Sequence, residues 1–398
     1  MITLTPAAPP ATATSPEPSS FDAGCSGHRG LQLTHGLGPF VFDRRGRRYL
    51  DATSQYGVAS LGHAHPNLVH ALSSQAARLT SCFASFGNDQ RDRLFARLAR
   101  LLDPLDRFFL CNSGTEANEA LFKWARAVTG RPGVVSFKGA FHGRTFGSLS
   151  ASAPARRQAT FDPLVPGFRH VPAGRIELLE AELDQGDVGL VLTEVIQGEG
   201  GVRPLDALFL RQARELCRER GVLFAVDEVQ TGFGRTGRWF AFRNPELDPD
   251  AVTLAKGLGG GVPIGALAYR SELGDLPRGE HGSTFGGNPL AAAAAVAVID
   301  TLENHDLVGR SAEFGRRLLS LLDGELAENP RVRAVRGVGL MIGIELKEAA
   351  GPFQRRLQER GFLVLGAGPR VLRLLPPLVT PWDELESLAR AIVEVLES

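Results

Sequence analysis

From about residue 107 to residue 269 the chain alternates short apolar runs with helical segments, and this alternation restricts the fold more than any other feature. The runs at 108–111, 134–137, 189–194, 222–227, 252–255 and 265–269 read as strands. Between two of them, Phe209, Ala213, Leu216 and Cys217 mark one helical face, and Gly221 closes that helix. Strand–helix alternation predicts an α/β fold, with a mostly parallel sheet covered by helices on both faces. Ligands of such sheets gather at the carboxyl ends of the strands. Asn112, Glu194, Asp227 and Lys256 all fall at or just beyond such ends.

The flanks read differently. A hairpin is expected over 38–51, with Arg44-Arg45-Gly46-Arg47 as its turn, and a helix after His65-Pro66. Beyond about residue 300 come a helix over 310–322, the run Val338-Gly339-Leu340-Met341-Ile342-Gly343-Ile344-Glu345, a further helix and the run 371–377. This predicts a smaller α+β domain at 301–398, with 21–60 joining it and 61–300 forming the large domain. Residues 1–20 are rich in Pro, Ala, Thr and Ser and lack the basic and apolar regions of a secretory signal. They are expected to form a disordered tail.

Composition removes several function classes. Formal net charge is zero, so no global field favours nucleic acid or an anionic membrane. No apolar stretch approaches the roughly 20 residues of a membrane span; the run 291–299 is expected to be a buried helix. Cys25, Cys82, Cys111 and Cys217 lack C-x-x-C spacing, which fits a reducing, cytoplasmic setting. His63 and His65 are poorly spaced for a helical metal pair and no H-E-x-x-H occurs, so no metal is expected.

Among 44 basic residues only Lys123, Lys138, Lys256 and Lys347 are lysines. Lys256 stands between an apolar run and the glycines 257–261, and an earlier apolar run ends on Asp227. An amine and a carboxylate at neighbouring strand ends suit a carbonyl cofactor, because arginine stays protonated and cannot form a Schiff base. Asp227 reads either as a turn cap or as the acid that keeps a pyridine ring protonated. The stretch Asn112-Ser113-Gly114-Thr115-Glu116 follows a strand and opens a helix. It reads as an N-cap with Ser113 and Glu116, as an anion site, or as both. His142 is a packing neighbour or a wall of the ligand site. Glycines 257–261 match no nucleotide-binding motif and imply close backbone approach.

Taken in order, these motifs resemble the class III, pyridoxal 5'-phosphate (PLP)-dependent aminotransferases of fold type I, in particular the acetylornithine aminotransferase group. The resemblance runs from about residue 38 to 395. It rests on Leu61-Gly62-His63-Ala64-His65-Pro66, residues 112–118, Phe141-His142-Gly143-Arg144-Thr145, Ile196-Gln197-Gly198-Glu199-Gly200-Gly201, Asp227-Glu228-Val229-Gln230-Thr231-Gly232, Lys256-Gly257 and 281–289. It implies that Lys256 holds the cofactor covalently and shuttles a proton. Asp227 would pair with the pyridine nitrogen, Gln230 with the phenolic oxygen, and Phe141 would stack on the ring, with His142 beside it. Ser113, Gly114 and Thr115 would take the phosphate. Thr284 would reach the phosphate of a partner subunit, making the active site that of a homodimer. Arg144 would clamp the distal carboxylate and Arg373 the α-carboxylate of glutamate, with Ser283 also in the substrate site. Glu199, otherwise a solvated loop carboxylate, would cover Arg373 when an ω-amino substrate binds.

The implied reaction moves an amino group between glutamate and an α-N-blocked semialdehyde. Ser54-Gln55-Tyr56-Gly57-Val58-Ala59-Ser60, Gly200-Gly201-Val202-Arg203-Pro204 and Arg336-Gly337-Val338-Gly339-Leu340-Met341 look more like the branch that makes lysine on a small acidic amino-group carrier protein. N-acetylornithine is the arginine-pathway alternative. Arg44, Arg45, Arg47 and Arg48 are either a docking patch for such a carrier or a solvated turn. Ornithine or 4-aminobutyrate aminotransferases, an aminomutase and a non-catalytic scaffold are the competing readings.

Overall fold

A computed structural model describes residues 29–152 and 159–398; the tail expected at 1–20, and Cys25, lie outside them. Strands β1 (Leu33–Leu37), β2 (Phe40–Asp43) and β3 (Arg48–Asp51) form an antiparallel meander whose β2–β3 turn is the arginine-rich segment. Next come β4 (Arg107–Cys111), β5 (Gly133–Phe137), β6 (Phe168–Val171) and β7 (Val188–Thr193). A short hairpin of β8 (Ile196–Gln197) and β9 (Arg203–Pro204) precedes β10 (Leu223–Asp227), β11 (Ala251–Leu254) and β12 (Gly265–Tyr269).

The central sheet has seven strands in the order β4-β12-β11-β10-β7-β5-β6. All adjacent pairs are parallel except the two made by β12. The carboxyl ends of β4, β7, β10 and β11 therefore share one edge with the start of β12. That edge carries Asn112, Glu194, Asp227 and Lys256. Parallel strands buried on both faces need continuous apolar runs, and β5, β7 and β10 are buried throughout. β6 lies at the sheet margin, mostly half-buried, and its sequence Phe-Arg-His-Val has no apolar run to announce it.

Helix α1 (Pro66–Ala76) starts with proline at its first turn, where the missing N–H is harmless. Helix α2 (Asp89–Leu102) is capped by Asn88. Helix α3 (Gly114–Thr129) leaves β4 at the functional edge, and helix α4 (Ala207–Arg220) ends on Gly221 in the left-handed conformation. The alanine run lies in helix α5 (Pro289–Asn304), whose residues 291–296 are all buried. Among the described residues, no helix is long and apolar enough to cross a membrane.

After helix α6 (Leu307–Leu326) come β13 (Val332–Val338) and β14 (Met341–Leu346). The run read as 338–345 is thus broken by a turn. Gly339 takes φ +58° there, and a Cβ on it would meet the carbonyl oxygen of Arg235 at 2.6 Å. β15 (Phe362–Leu363) pairs in parallel with β3, so the first strands and the last part of the chain share a sheet. β16 (Leu365–Gly366) and β17 (Val371–Leu374) complete the sheet β13-β14-β17-β16.

Arg235 fastens this C-terminal region to the loop after β10. It is 2% exposed, donates to the carbonyls of Leu340 and Pro376, and its own carbonyl accepts from Leu340 N and Ser311 Oγ. Burial pushes the guanidinium pKa down to about 9. Replacing it with methionine strands two buried carbonyls. Arg235→Met should lower unfolding free energy by about 2–4 kcal/mol in urea titrations.

Candidate active site

A cavity of about 390 Å³ opens at the carboxyl edge of the central sheet. Of the residues singled out in the sequence, Ser113, Gly114, Thr115, Phe141, His142, Glu199, Asp227, Gln230 and Lys256 line it. Arg144, Ser283, Thr284 and Arg373 do not line it within one chain.

Lys256 lies two residues past the end of β11, with φ at +40°. Left-handed backbone at a long side chain is strained, and such strain persists only where packing over-determines it. Burial and the charge of Arg373 hold the Lys256 amine below its ordinary pKa, against the opposing pull of Glu199, Asp227 and Glu194. The shift favours the neutral amine, which is the nucleophilic form.

Asp227 ends β10 and is 4% exposed. Its Oδ2 lies 2.8 Å from His142 Nδ1 and accepts from Asn118 Nδ2 at 3.0 Å; its Oδ1 accepts from Val229 N at 3.0 Å. His142 thus both lines the cavity and holds the acid. Its Nε2 is buried without a partner among the described residues.

The start of α3 carries both readings of its sequence. Ser113 Oγ accepts from Glu116 N at 3.3 Å, and Glu116 Oε2 accepts from Asn112 N at 2.9 Å. Capping consumes those N–H groups. The N–H groups of Gly114 and Thr115 have no partner among the described residues, which leaves two donors at the positive end of a helix facing the cavity. A side chain on Gly114 would put its Cβ 2.7 Å from the methyl groups of Val229.

Arg373 sits on β17, completely buried, behind Gln230. Its Nη1 lies 2.6 Å from Glu199 Oε1 and donates to Gln230 Oε1 at 3.2 Å; Nη2 donates to Gly366 O at 3.3 Å. The ring of Tyr56 lies 5.7 Å from the guanidinium, on a segment where Ser54, Gln55 and Tyr56 all have positive φ. Arg144 is exposed, 5.8 Å from the Phe141 ring centroid. Ser283 Oγ accepts from Asn112 Nδ2 at 3.1 Å, and Thr284 is exposed.

Two further residues at the site, Asn118 behind the wall and Glu194 in it, have no role assigned from the sequence. Asn118 lies one helical turn beyond Gly114 and donates to both Asp227 and His142 O. Its signal was a polar residue amid the buried face of α3. Glu194 was visible as an acid at a strand end. It accepts from Phe141 N at 3.0 Å and Gly198 N at 3.2 Å. Burial pushes its carboxyl up to about 7; Asp227 adds to the rise, while His142 and the two N–H donors oppose it. Asn118→Leu leaves two buried acceptors short of a donor. It should lower unfolding free energy by about 1–3 kcal/mol in urea titrations of the cofactor-free protein.

An amine, a fixed carboxylate and free helix-end N–H groups around one cavity form a donor set for an aldehyde-bearing, phosphorylated pyridine. The class-III aminotransferase family matches residues 25–396, and the chain belongs to that family. It is a PLP-dependent transaminase of the fold type I architecture. The acetylornithine aminotransferase of Bacillus cereus is 43% identical over 371 residues, covering 93% of this chain and 96% of the relative. Acetylornithine aminotransferase 1 of Bordetella pertussis is 44% identical over 374 residues, covering 92% and 95%. The ornithine aminotransferase structure from Toxoplasma gondii superposes with a TM-score of 0.89 at 35% identity, covering 94% of this chain and 91% of that one. The N-acetylornithine aminotransferase structure from Stenotrophomonas maltophilia gives a TM-score of 0.80 at 34% identity, covering 93% and 96%.

Proposed function

We propose that this transaminase exchanges an amino group between glutamate and the ω-position of an α-N-blocked amino acid, with N-acetylornithine as the favoured substrate and arginine biosynthesis as its setting. The observation that carries this reading is the ion pair of buried Arg373 with half-buried Glu199, beside Lys256. A transaminase for these two donors must accept the α-carboxylate of glutamate in one half-reaction. In the other it must accept an apolar stretch of ω-amino chain at the same place. Arg373 serves the first when Glu199 swings away. In the second Glu199 stays on Arg373 and cancels its pull on carboxylates.

PLP, when bound, supplies the electron sink for carbanion chemistry. The chain's residues do the rest. Lys256 would hold the cofactor covalently and, as a free amine once released, would move the proton at the reacting carbon. Asp227, fixed by His142 and Asn118, keeps the ring nitrogen protonated. Phe141, in the cavity wall, would pack against the ring. Gln230, whose Oε1 is engaged by Arg373, has its amide N–H left for the phenolic oxygen. Gly114 and Thr115, with the cap residue Ser113, hold the phosphate. Exposed Arg144 clamps the distal carboxylate. Ser283 borders the substrate, and Thr284 reaches the phosphate of a second copy, so the working unit is a homodimer.

The relatives' names favour N-acetylornithine over a carrier-bound lysine precursor. The arginine turn gives the carrier little support, since local contacts account for it. Arg44 donates to Gln32, Arg47 to Glu359 O, and Arg48 lies over the Phe40 ring. Rates with N-acetylornithine, N-acetyl-lysine and carrier-bound lysine, each with 2-oxoglutarate, decide between them. Pocket discrimination of one methylene is worth only about 1–3 kcal/mol, so the preference for N-acetylornithine over N-acetyl-lysine should be about 10- to 200-fold at most. A larger preference for the carrier-bound substrate overturns this choice.

Borohydride reduction of the PLP-loaded enzyme should mark Lys256 in peptide mass spectra; label on another lysine refutes its role. Glu199→Ala should depress the N-acetylornithine half-reaction about tenfold or more relative to that of glutamate, as followed by single-turnover absorbance. An equal effect on both half-reactions refutes the switch.

A further inference from the structure

Glu199 lies at the tip of the β8–β9 hairpin, in the five residues 198–202 between the paired strands. That tip is held at several points, and the pairing register explains how. Arg336 on β13 pairs with Gly343 on β14, and Gly343 pairs with Arg373 on β17. Directly paired residues share a sheet face, so the three form one row. The hairpin tip lies along it.

At one end of the row, Arg373 meets the Glu199 carboxylate. At the other, Arg336 Nε donates to Gly201 O and Val202 O, both at 3.0 Å, and its Nη2 donates to Gly201 O at 2.6 Å. In the middle, Gly343 leaves the space that Val202 fills; a Cβ on Gly343 would lie 2.8 Å from Val202 Cβ. Val202 is fully buried at φ +50°. A β-branched residue avoids that conformation unless its surroundings impose it. Glu345 in turn holds Arg336, 2.6 Å from Nη1. On the near side of Glu199, Glu194 accepts from Gly198 N.

We infer that Arg336 is a positioning residue for the Glu199–Arg373 pair, fixing the hairpin tip through its carbonyls so that the Glu199 carboxylate returns to the same place on Arg373 after each half-reaction. With Val202 seated on Gly343 and the tip pinned on both sides, the backbone stays put and the Glu199 side chain alone swings. The inference rests on the proposed role of Glu199 and adds to it the residues that set its aim.

The test compares Glu199→Ala, Arg336→Met, Arg336→Lys, Gly343→Ala and the Glu199→Ala/Arg336→Met pair in the PLP-loaded enzyme. The readout is the ratio of single-turnover rate constants for N-acetylornithine and glutamate, with amide hydrogen exchange across 198–202 measured alongside. Arg336→Met should lower the ratio about tenfold and speed exchange at the tip, the scale of losing charged hydrogen bonds. Arg336→Lys, which keeps a donor for the carbonyls, should recover part of the loss. Gly343→Ala unseats Val202 without touching any charge, and should lower the ratio in the same direction; it decides the matter if Arg336→Met does not fold. In the double variant the two effects should fail to multiply, because a pinned tip without its carboxylate has nothing to aim. An equal loss in both half-reactions, or effects that multiply in the double variant, overturns the role of Arg336 alone. If Glu199→Ala itself proves unselective, the switch falls and this inference falls with it.

Discussion

A buried guanidinium is held by carbonyls at Arg235, but at the active site one is paired with an acid, and that pairing organises the site. Arg373 is fully buried, and Glu199 is its acidic partner at 2.6 Å. Taking Glu199 away without replacement leaves the buried Arg373 charge uncompensated, which is unfavourable even though the Glu199 side chain is itself 34% exposed. Whatever displaces Glu199 from Arg373 must therefore be anionic itself. Discrimination between two classes of substrate then follows from whether the incoming group carries a carboxylate at that spot. After burial, the same positive charge helps to hold the Lys256 amine below its ordinary pKa, so one buried cation bears on both recognition and reactivity.

The central sheet does the complementary work of gathering the chemistry. Parallel strands end together, so side chains far apart in the sequence meet without a long loop to place them. Asp227 closes β10, Lys256 follows β11 and Glu194 follows β7. The acid is then immobilised from α3 by Asn118 and from the 141–144 loop by His142. Two separate elements converge on a carboxylate carried by a third, and its position is over-determined in the way a preorganised site requires.

The sequence was most legible where burial is complete. Apolar runs announce β4, β5, β7, β10, β11 and β12 to within a residue or so, because strands covered on both faces are filled mainly by apolar residues. The edge strand β6 escaped notice for the converse reason. The 338–345 run was read as continuous because Gly339 lies between apolar neighbours, and nothing local says that a glycine turns the chain there. Lysine scarcity drew attention to Lys256, and the motifs supplied its company. Tertiary relations stayed hidden. That Asn118 and His142 share Asp227, or that Arg336, Gly343 and Arg373 form a row, depends on register and helix phase, which composition does not encode.

The pairing of β3 with β15 has a consequence for synthesis on the ribosome. Ser54 Oγ donates to Leu375 O, 321 positions away, and Ala52 O accepts from Leu375 N. The early meander must wait, unpaired at one margin, until nearly the whole polypeptide has emerged. Arg373 arrives in the same late stretch. Contacts of such long range form slowly and leave strand margins open to wrong partners, so a nascent chain stalled before residue 362 holds most of its catalytic wall but neither the arginine nor the strand that closes the meander.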